Sequence, residues 1–341
     1  MQTALVNNRQ ARRRIHIRPN LTIMKGTIVD LKFVRYGDMV VPIIMGKERR
    51  RIINHIVPQG LNDYVNDLVT VSNNANAGNS SISGWNSSPG NSIQLLNNGS
   101  VVQTLGATVI PVLNGSTVIW VFIANDLSSA SYTANQVNLF ASVNYINNYI
   151  GGAPPQYSPP FNLATATTSI VKQSGEAISF VWEIQLNLGS SALTDFILGI
   201  LYSIPTAPTI CSWSTPSGVT GTNGTTLGTF GGAYNIPYNA PYYFSGITLQ
   251  YIGGSSSASL SSITTSYDGT NTYLVMSASI TLSSQVTATG VVINVSAYSS
   301  HGFCIIGNDV GSGSVLQIPY NATLPSGTVT VTVTIEFSPA T

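Results

Sequence analysis

Two stretches of strict alternation stand far apart in the chain. In "SGEAISFVWEIQL" (174–186), Ile178, Phe180, Trp182, Ile184 and Leu186 share one parity. In "SGTVTVTVTIEF" (326–337), Val329, Val331, Val333, Ile335 and Phe337 do the same. Successive side chains of a strand point to opposite faces. Each stretch therefore predicts a β-strand with an apolar inner face and a Ser, Thr, Gln or Glu outer face.

A repeat links these two strands. "NGSTVIWVFIANDLSSASYTANQVNLFAS" (114–142) aligns without a gap to "DGTNTYLVMSASITLSSQVTATGVVINVS" (268–296), at a constant offset of 154. Gly115/Gly269, Val121/Val275, Ala124/Ala278, Val137/Val291 and Ser142/Ser296 are among the identities, and each copy is followed by one of the alternating strands. After residue 70, short β-branched and aromatic runs alternate with Gly, Ser, Asn and Pro clusters. That is the pattern of sandwiches and barrels.

The start of the chain reads differently. Residues 1–24 show no sustained apolar period and are expected to form a basic arm. "GTIVDLKFVRYGDMVVPIIM" (26–45) predicts two strands around a turn at Tyr36-Gly37-Asp38. "KERRRIINHIVPQGLNDYVNDLV" (47–69) carries Ile52, Ile53, Ile56 and Val57, then Leu61, Tyr64, Val65 and Leu68, at spacings of three and four. This predicts a helix, broken in two at Pro58 and Gly60. The expected fold is all-β: a basic arm (1–24), a strand and helix segment (25–69), and two tandem jelly-roll-like β-sandwich domains (70–204 and 205–341), with a linker at Pro205 and Pro208.

Charge sharpens this division. Only 7% of residues are charged, against about 25% in ordinary soluble proteins. Twelve of the 13 Lys and Arg lie in the first 51 residues, which carry a net +9; the remainder has Lys172 against nine carboxylates, a net −8. A body almost free of bases reads as adapted to acid. In acid, carboxylates neutralise while Lys and Arg stay charged, and a Lys-rich surface would repel itself. A poorly charged fibre or shell protein from a neutral habitat is the alternative.

No window of about 18 apolar residues occurs, so no transmembrane helix is expected. No apolar run follows the basic start, so no secretory signal is expected. Cys211 and Cys304 are too few for a disulfide framework; one bridge and two buried free thiols are both open to them.

Candidate chemistry is sparse. The three histidines, His16, His55 and His301, are dispersed, and no metalloprotease, zinc-finger or nucleophile-elbow motif occurs. No carboxylate pair converges as a glycosidase requires. The expectation is therefore no enzyme and no cofactor. "GGAYNIPYNAPYYFSG" (231–246) reads as a packed Tyr- and Pro-rich loop ahead of a sugar-binding face. What remains is the basic set Arg9, Arg12, Arg13, Arg14, Arg18, Lys47, Arg49, Arg50 and Arg51. Such a cluster suits an anionic partner, whether genome DNA through its phosphates or an acidic surface on a neighbouring subunit.

"SYTANQVNLFAS" with "LATATTSIVKQSGEAISFVWEIQL", preceded by the helix-opening "VPQGLNDYVNDLV", resembles the β-sandwich module of tail and other virion structural proteins of phages and Sulfolobales viruses. The likeness covers about residues 50–190 and, more loosely, 260–341. The second copy departs from it, with Val333 at the position of Trp182. The resemblance carries no catalytic residues. It implies a structural or attachment role in a particle assembled in the host cell. The expected protein is an archaeal-virus virion component of a tail, nozzle, vertex or turret. It would be built as a symmetric homo-oligomer and touch other virion proteins, genome DNA and the host surface. A major capsid protein of two jelly rolls and a cell-surface S-layer or pilus subunit are the alternatives.

Overall fold

The computed structural model describes residues 11–36, 39–76, 82–85, 90–146, 156–190, 193, 197, 211–214, 220–223, 242–297 and 312–340. The described chain is all-β apart from one α-helix (Pro58–Asn76), the helical residues Leu193 and Ile197, and a single 3-10 turn.

The chain opens with β1 (Ala11–Gly26), the hairpin β2 (Leu31–Tyr36) and β3 (Met39–Ile44), then β4 (Glu48–Ile52), β5 (Asn54–Ile56) and helix α1 (Pro58–Asn76). The first half continues through β6 (Ile82–Trp85), β7 (Ser92–Asn97), β8 (Ser100–Gly106), β9 (Thr108–Asn114) and β10 (Thr117–Asp126). It closes with β11 (Tyr132–Ala141), β12 (Val143–Ile146), β13 (Gln156–Tyr157), β14 (Phe161–Lys172) and β15 (Ala177–Asn187). The second half holds β16 (Cys211–Ser214), β17 (Thr220–Asn223), β18 (Tyr242–Tyr251), β19 (Gly254–Tyr267), β20 (Thr272–Leu282), β21 (Val286–Ala297), β22 (Ser312–Leu324) and β23 (Gly327–Pro339).

The internal repeat occupies equivalent strands in equivalent register. Leu95 pairs with Val137 in the first half and Leu249 with Val291 in the second. Phe122 faces Trp182, and Met276 faces Val333. The first hairpin closes at Asn97–Ser100 and its counterpart at Tyr251–Gly254. Gly99 and Gly253 both take positive φ there, a conformation that two-residue hairpins need and that glycine adopts without strain. One layer of each half runs β14-β11-β7-β8 or β22-β21-β18-β19; the other runs β9-β10-β15 or β19-β20-β23. β19 serves both layers of its half. Residues 254–259 pair with β18, then the strand passes an irregularity near Leu260 and pairs with β20.

β1 corrects the sequence-based expectation most sharply. Residues 11–24 are a central strand rather than an arm. β1 lies antiparallel to β15 and parallel to β23, joining the two halves into one eleven-stranded sheet. Ala11, Ile15, Ile17, Leu21 and Ile23 are buried in the core shared by both halves. Pro19 has no N–H to donate, which ordinarily bars it from a central strand. It falls where one edge of β1 changes partner, between β23, whose pairing ends at Ile17, and β4, whose pairing begins at Leu21.

The helix begins later than its spacing predicts. Residues 48–52 and 54–56 are strands β4 and β5, and α1 starts at Pro58 and runs past the expected boundary to Asn76. The Ile-rich segment finds ladder partners on β1 and β14. Proline fits the first helical position, where no N–H partner is required. Gly60 permits close approach to β14: a Cβ there would meet Asn162 O at 1.9 Å. Leu61, Tyr64, Val65 and Leu68 are buried as the spacing predicts. The helix also ties to the second half, where Ser72 Oγ accepts the Phe244 N–H at 3.1 Å.

The hairpin β2–β3 lies on the outer face of the first half. Val41 and Ile43 pack with Met24, Ile110, Val121, Ile123 and Val181, so those outward positions are apolar and buried. Ser179 Oγ accepts the Ile44 N–H at 2.7 Å, and Asn125 Nδ2 donates to Pro42 O at 2.9 Å. The linker at Pro205 and Pro208, most of the Tyr- and Pro-rich loop, and the pairing of Cys211 with Cys304 lie outside the described residues.

Candidate anion-binding face

The parity that buries one face of β1 turns Arg12, Arg14, His16 and Arg18 outward, all exposed. β4 extends this line. Its residues Arg51 and Arg49 sit opposite Thr22 and Met24, which places them on the same outer face. Arg50 has the other parity and reaches past the sheet edge to donate to Ser169 O at 3.0 Å. It also pairs with Glu48 at 2.9 Å. Lys47 is exposed; Arg9 lies outside the described residues.

Neutral and acidic groups hold parts of this row in place. Arg51 Nε donates to Asn20 Oδ1 at 2.7 Å, and Asn20 Nδ2 donates to Glu183 Oε2 at 2.7 Å, a relay from β4 across β1 to β15. Arg14 Nε lies 2.8 Å from Glu336 Oε1, and Ser338 Oγ donates to the same oxygen at 2.9 Å. Thus the carboxylate on the last strand of each half is answered by β1. Arg13 and Arg18 make no ion pair among the described residues.

Beside the row lies a groove of about 370 Å³ lined by Arg13, Arg14, His16, Arg18, Thr117, Gln185 and Asn187. Arg13 has core-facing parity but escapes to solvent at the end of the strand. Its guanidinium occupies the space a side chain at Gly189 would take: a Cβ there would stand 1.8 Å from Arg13 Nη2. Gly189 also has φ +67, so glycine serves both demands. His16, Thr117, Gln185 and Asn187 are absent from the sequence-derived set. Outward parity in the alternating stretch 174–186 marks Gln185 as a surface position, but its place beside the row, with His16, Thr117 and Asn187, comes only from the pairing of β15 with β1 and β10. Chemically the groove offers guanidinium forks, one of them held by Glu336, suited to bidentate contact with phosphate, beside amide and hydroxyl groups. Arginine stays charged at every physiological pH, so the face remains cationic in acid and at neutrality.

The one base beyond residue 51 is treated in the opposite way. Lys172 is buried; its ammonium donates to Ser128 O at 2.5 Å and Ala130 O at 2.9 Å and lies 3.7 Å from Asp126. Asp126 also accepts from Ser128 Oγ at 2.6 Å and Tyr132 OH at 2.8 Å. Burial pushes the Asp126 carboxyl upward. The hydrogen bonds from Ser128 and Tyr132 and the Lys172 charge outweigh it and hold the group below its ordinary range. On α1, burial pushes the Asp67 carboxyl up to about 7; a hydrogen bond from Ser158 opposes the rise and the Asp63 charge adds to it.

No family model, curated protein or solved structure matches this chain.

Proposed function

We propose that this chain is a structural protein of an archaeal virus particle from a hot, acidic habitat. It is a component of a tail, nozzle, vertex or turret, assembled as a symmetric homo-oligomer with other virion proteins. The observation that carries this reading is the segregation of charge. Most exposed arginines gather along β1 and β4, the one base beyond residue 51 is buried, and the outward faces of β20 and β23 in the second half present Ser and Thr. In this reading the basic face meets the genome or an acidic neighbour inside the particle. The neutral hydroxyl-rich faces meet the acidic exterior and the host, where they stay soluble without changing charge. The test is mass spectrometry of gradient-purified particles from the source culture. The expected result is this chain in the particle band at structural stoichiometry. Its recovery from the cell envelope alone would favour the S-layer or pilus reading and overturn this one.

A major capsid protein is the second reading. It is favoured by the matched strand registers of the two halves, because two like units side by side suit a shell tile. Copy number in the same particles separates the two.

A further inference from the structure

We infer that the row on β1 and its groove bind one extended run of phosphates, such as a single nucleic-acid strand or a polyphosphate, and discriminate against duplex. This deepens the proposal that the basic face meets an anionic partner, and it can hold or fail independently of where the protein resides.

Arg12, Arg14, His16 and Arg18 share one face of a single strand, so neighbouring members stand about 6.6 Å apart. That repeat is comparable with successive phosphates of an extended single strand. The row lies along one extended strand and spans about 20 Å from end to end. A duplex presents two backbones that wind about its axis, so such a row follows either one over only a few phosphates.

The groove is sized for one strand. Its volume of about 370 Å³ lies at the small end of ligand sites, which run from about 300 to 1,000 Å³. That admits a unit of nucleotide size and excludes a double helix. Thr117, Gln185 and Asn187 line it with groups that both donate and accept, which phosphates alone do not require but sugars and base edges use. Glu336, held by Arg14, puts a carboxylate beside the row on the β23 side and opposes a second phosphate strand there. Among the described residues the groove lining contains no Phe, Tyr or Trp, and His16 is its one ring able to stack. Sequence preference should therefore be weak, since base stacking and edge reading are both limited.

Fluorescence anisotropy on the full chain tests this, using labelled oligodeoxythymidylate, a duplex of equal length, and inorganic polyphosphate as competitor, each across a salt series. The expected result is single-strand binding at least tenfold tighter than duplex. The logarithmic salt slope should fall near −2 to −3, since each neutralised phosphate contributes about −0.7 for single strands. Arg18→Gln should weaken binding about fivefold and reduce the slope by about 0.7. Lys32→Gln, on the hairpin and off the row, should leave both unchanged. Gln185→Leu separates the two sources: loss for oligothymidylate with polyphosphate unaffected assigns the groove to nucleotides, and loss for neither assigns the site to the phosphate chain alone. Equal or tighter duplex binding overturns the inference. So does an Arg18→Gln protein with unaltered thermal unfolding whose affinity and slope match the parent, or a Lys32→Gln loss as large as that of Arg18→Gln.

Discussion

The two halves share strand order and register, yet their outer faces and one buried corner differ. In the second half, β20 and β23 turn out Ser277, Ser279, Thr281, Thr328, Thr330 and Thr332, with Ser277 and Thr332 hydroxyls 3.1 Å apart. In the first half, the matching strands turn out Val121, Ile123 and Val181, which the hairpin β2–β3 covers. The corner contrast is as clear. Tyr132 pairs with Lys172 on adjacent strands, beside Asp126; the equivalent pair is Val286 and Leu324, beside Ile280. One backbone register thus accepts either an ionic cluster or an aliphatic one. The architecture rests on the shared apolar interior, while added segments and charges specialise one half.

The largest expected effect comes from the corner. Lys172→Met alone leaves Asp126 buried without its cation, which should cost about 3–5 kcal/mol. The triple variant Asp126→Ile, Tyr132→Val, Lys172→Leu copies the second half and should recover most or all of that loss. Urea unfolding measures both. A triple variant as unstable as the single one would show that the two corners are not interchangeable.

Next in size is a pH effect. Asp67 has a folded value of about 7, above the roughly 3.9 of an unfolded aspartate. Its neutral form is the one the fold favours. Its contribution is therefore fully present below about pH 4 and is lost as pH rises through about 7, on the order of 3–4 kcal/mol at most. Asp126 is shifted the other way. Its contribution is present above about pH 4 and disappears as pH falls further. Stability should rise from pH 7.5 to about 4 and then decline. Asp67→Asn should flatten the upper limb. A parent whose melting temperature falls steadily from pH 7 to 4 contradicts this.

A smaller effect tests the covered face. Val181→Thr places a hydroxyl under the hairpin and should cost about 1–2 kcal/mol, with faster amide exchange in residues 31–44. Thr332→Val on the open face should change stability by less than about 0.5 kcal/mol. Equal costs at the two sites would mean that the hairpin does not seal its face.

Much of this contrast was legible in the sequence. The inward residues of β15 and β23, the hairpin at 31–44, the apolar stripe of α1 and the 154-residue repeat all follow from local periodicity. β1 did not. Its alternation of Ile15, Ile17, Leu21 and Ile23 is interrupted by Pro19, and Arg13 occupies an inward parity, so the segment reads as polar and irregular. Its strand character depends on β15 and on β23, more than 300 residues away, and no local pattern reports such pairing. The same holds for residues 48–52, where a run of arginines carries no period and the segment becomes a strand because β1 extends beyond the end of β23. The candidate site suffered in proportion. The arginines were visible as a cluster, but which of them share a face, and that Thr117, Gln185 and Asn187 stand beside them, required the sheet.

A cryo-EM map of the source particle, resolved well enough to trace β1, addresses the central claim most directly. The account predicts that the Arg12–Arg18 row and the neighbouring Arg49 and Arg51 face interior density or an acidic surface of an adjoining subunit, with the Ser- and Thr-rich strands of the second half toward solvent. A map that places the arginine row on the outer surface with no partner density, and buries the hydroxyl-rich strands instead, would contradict it.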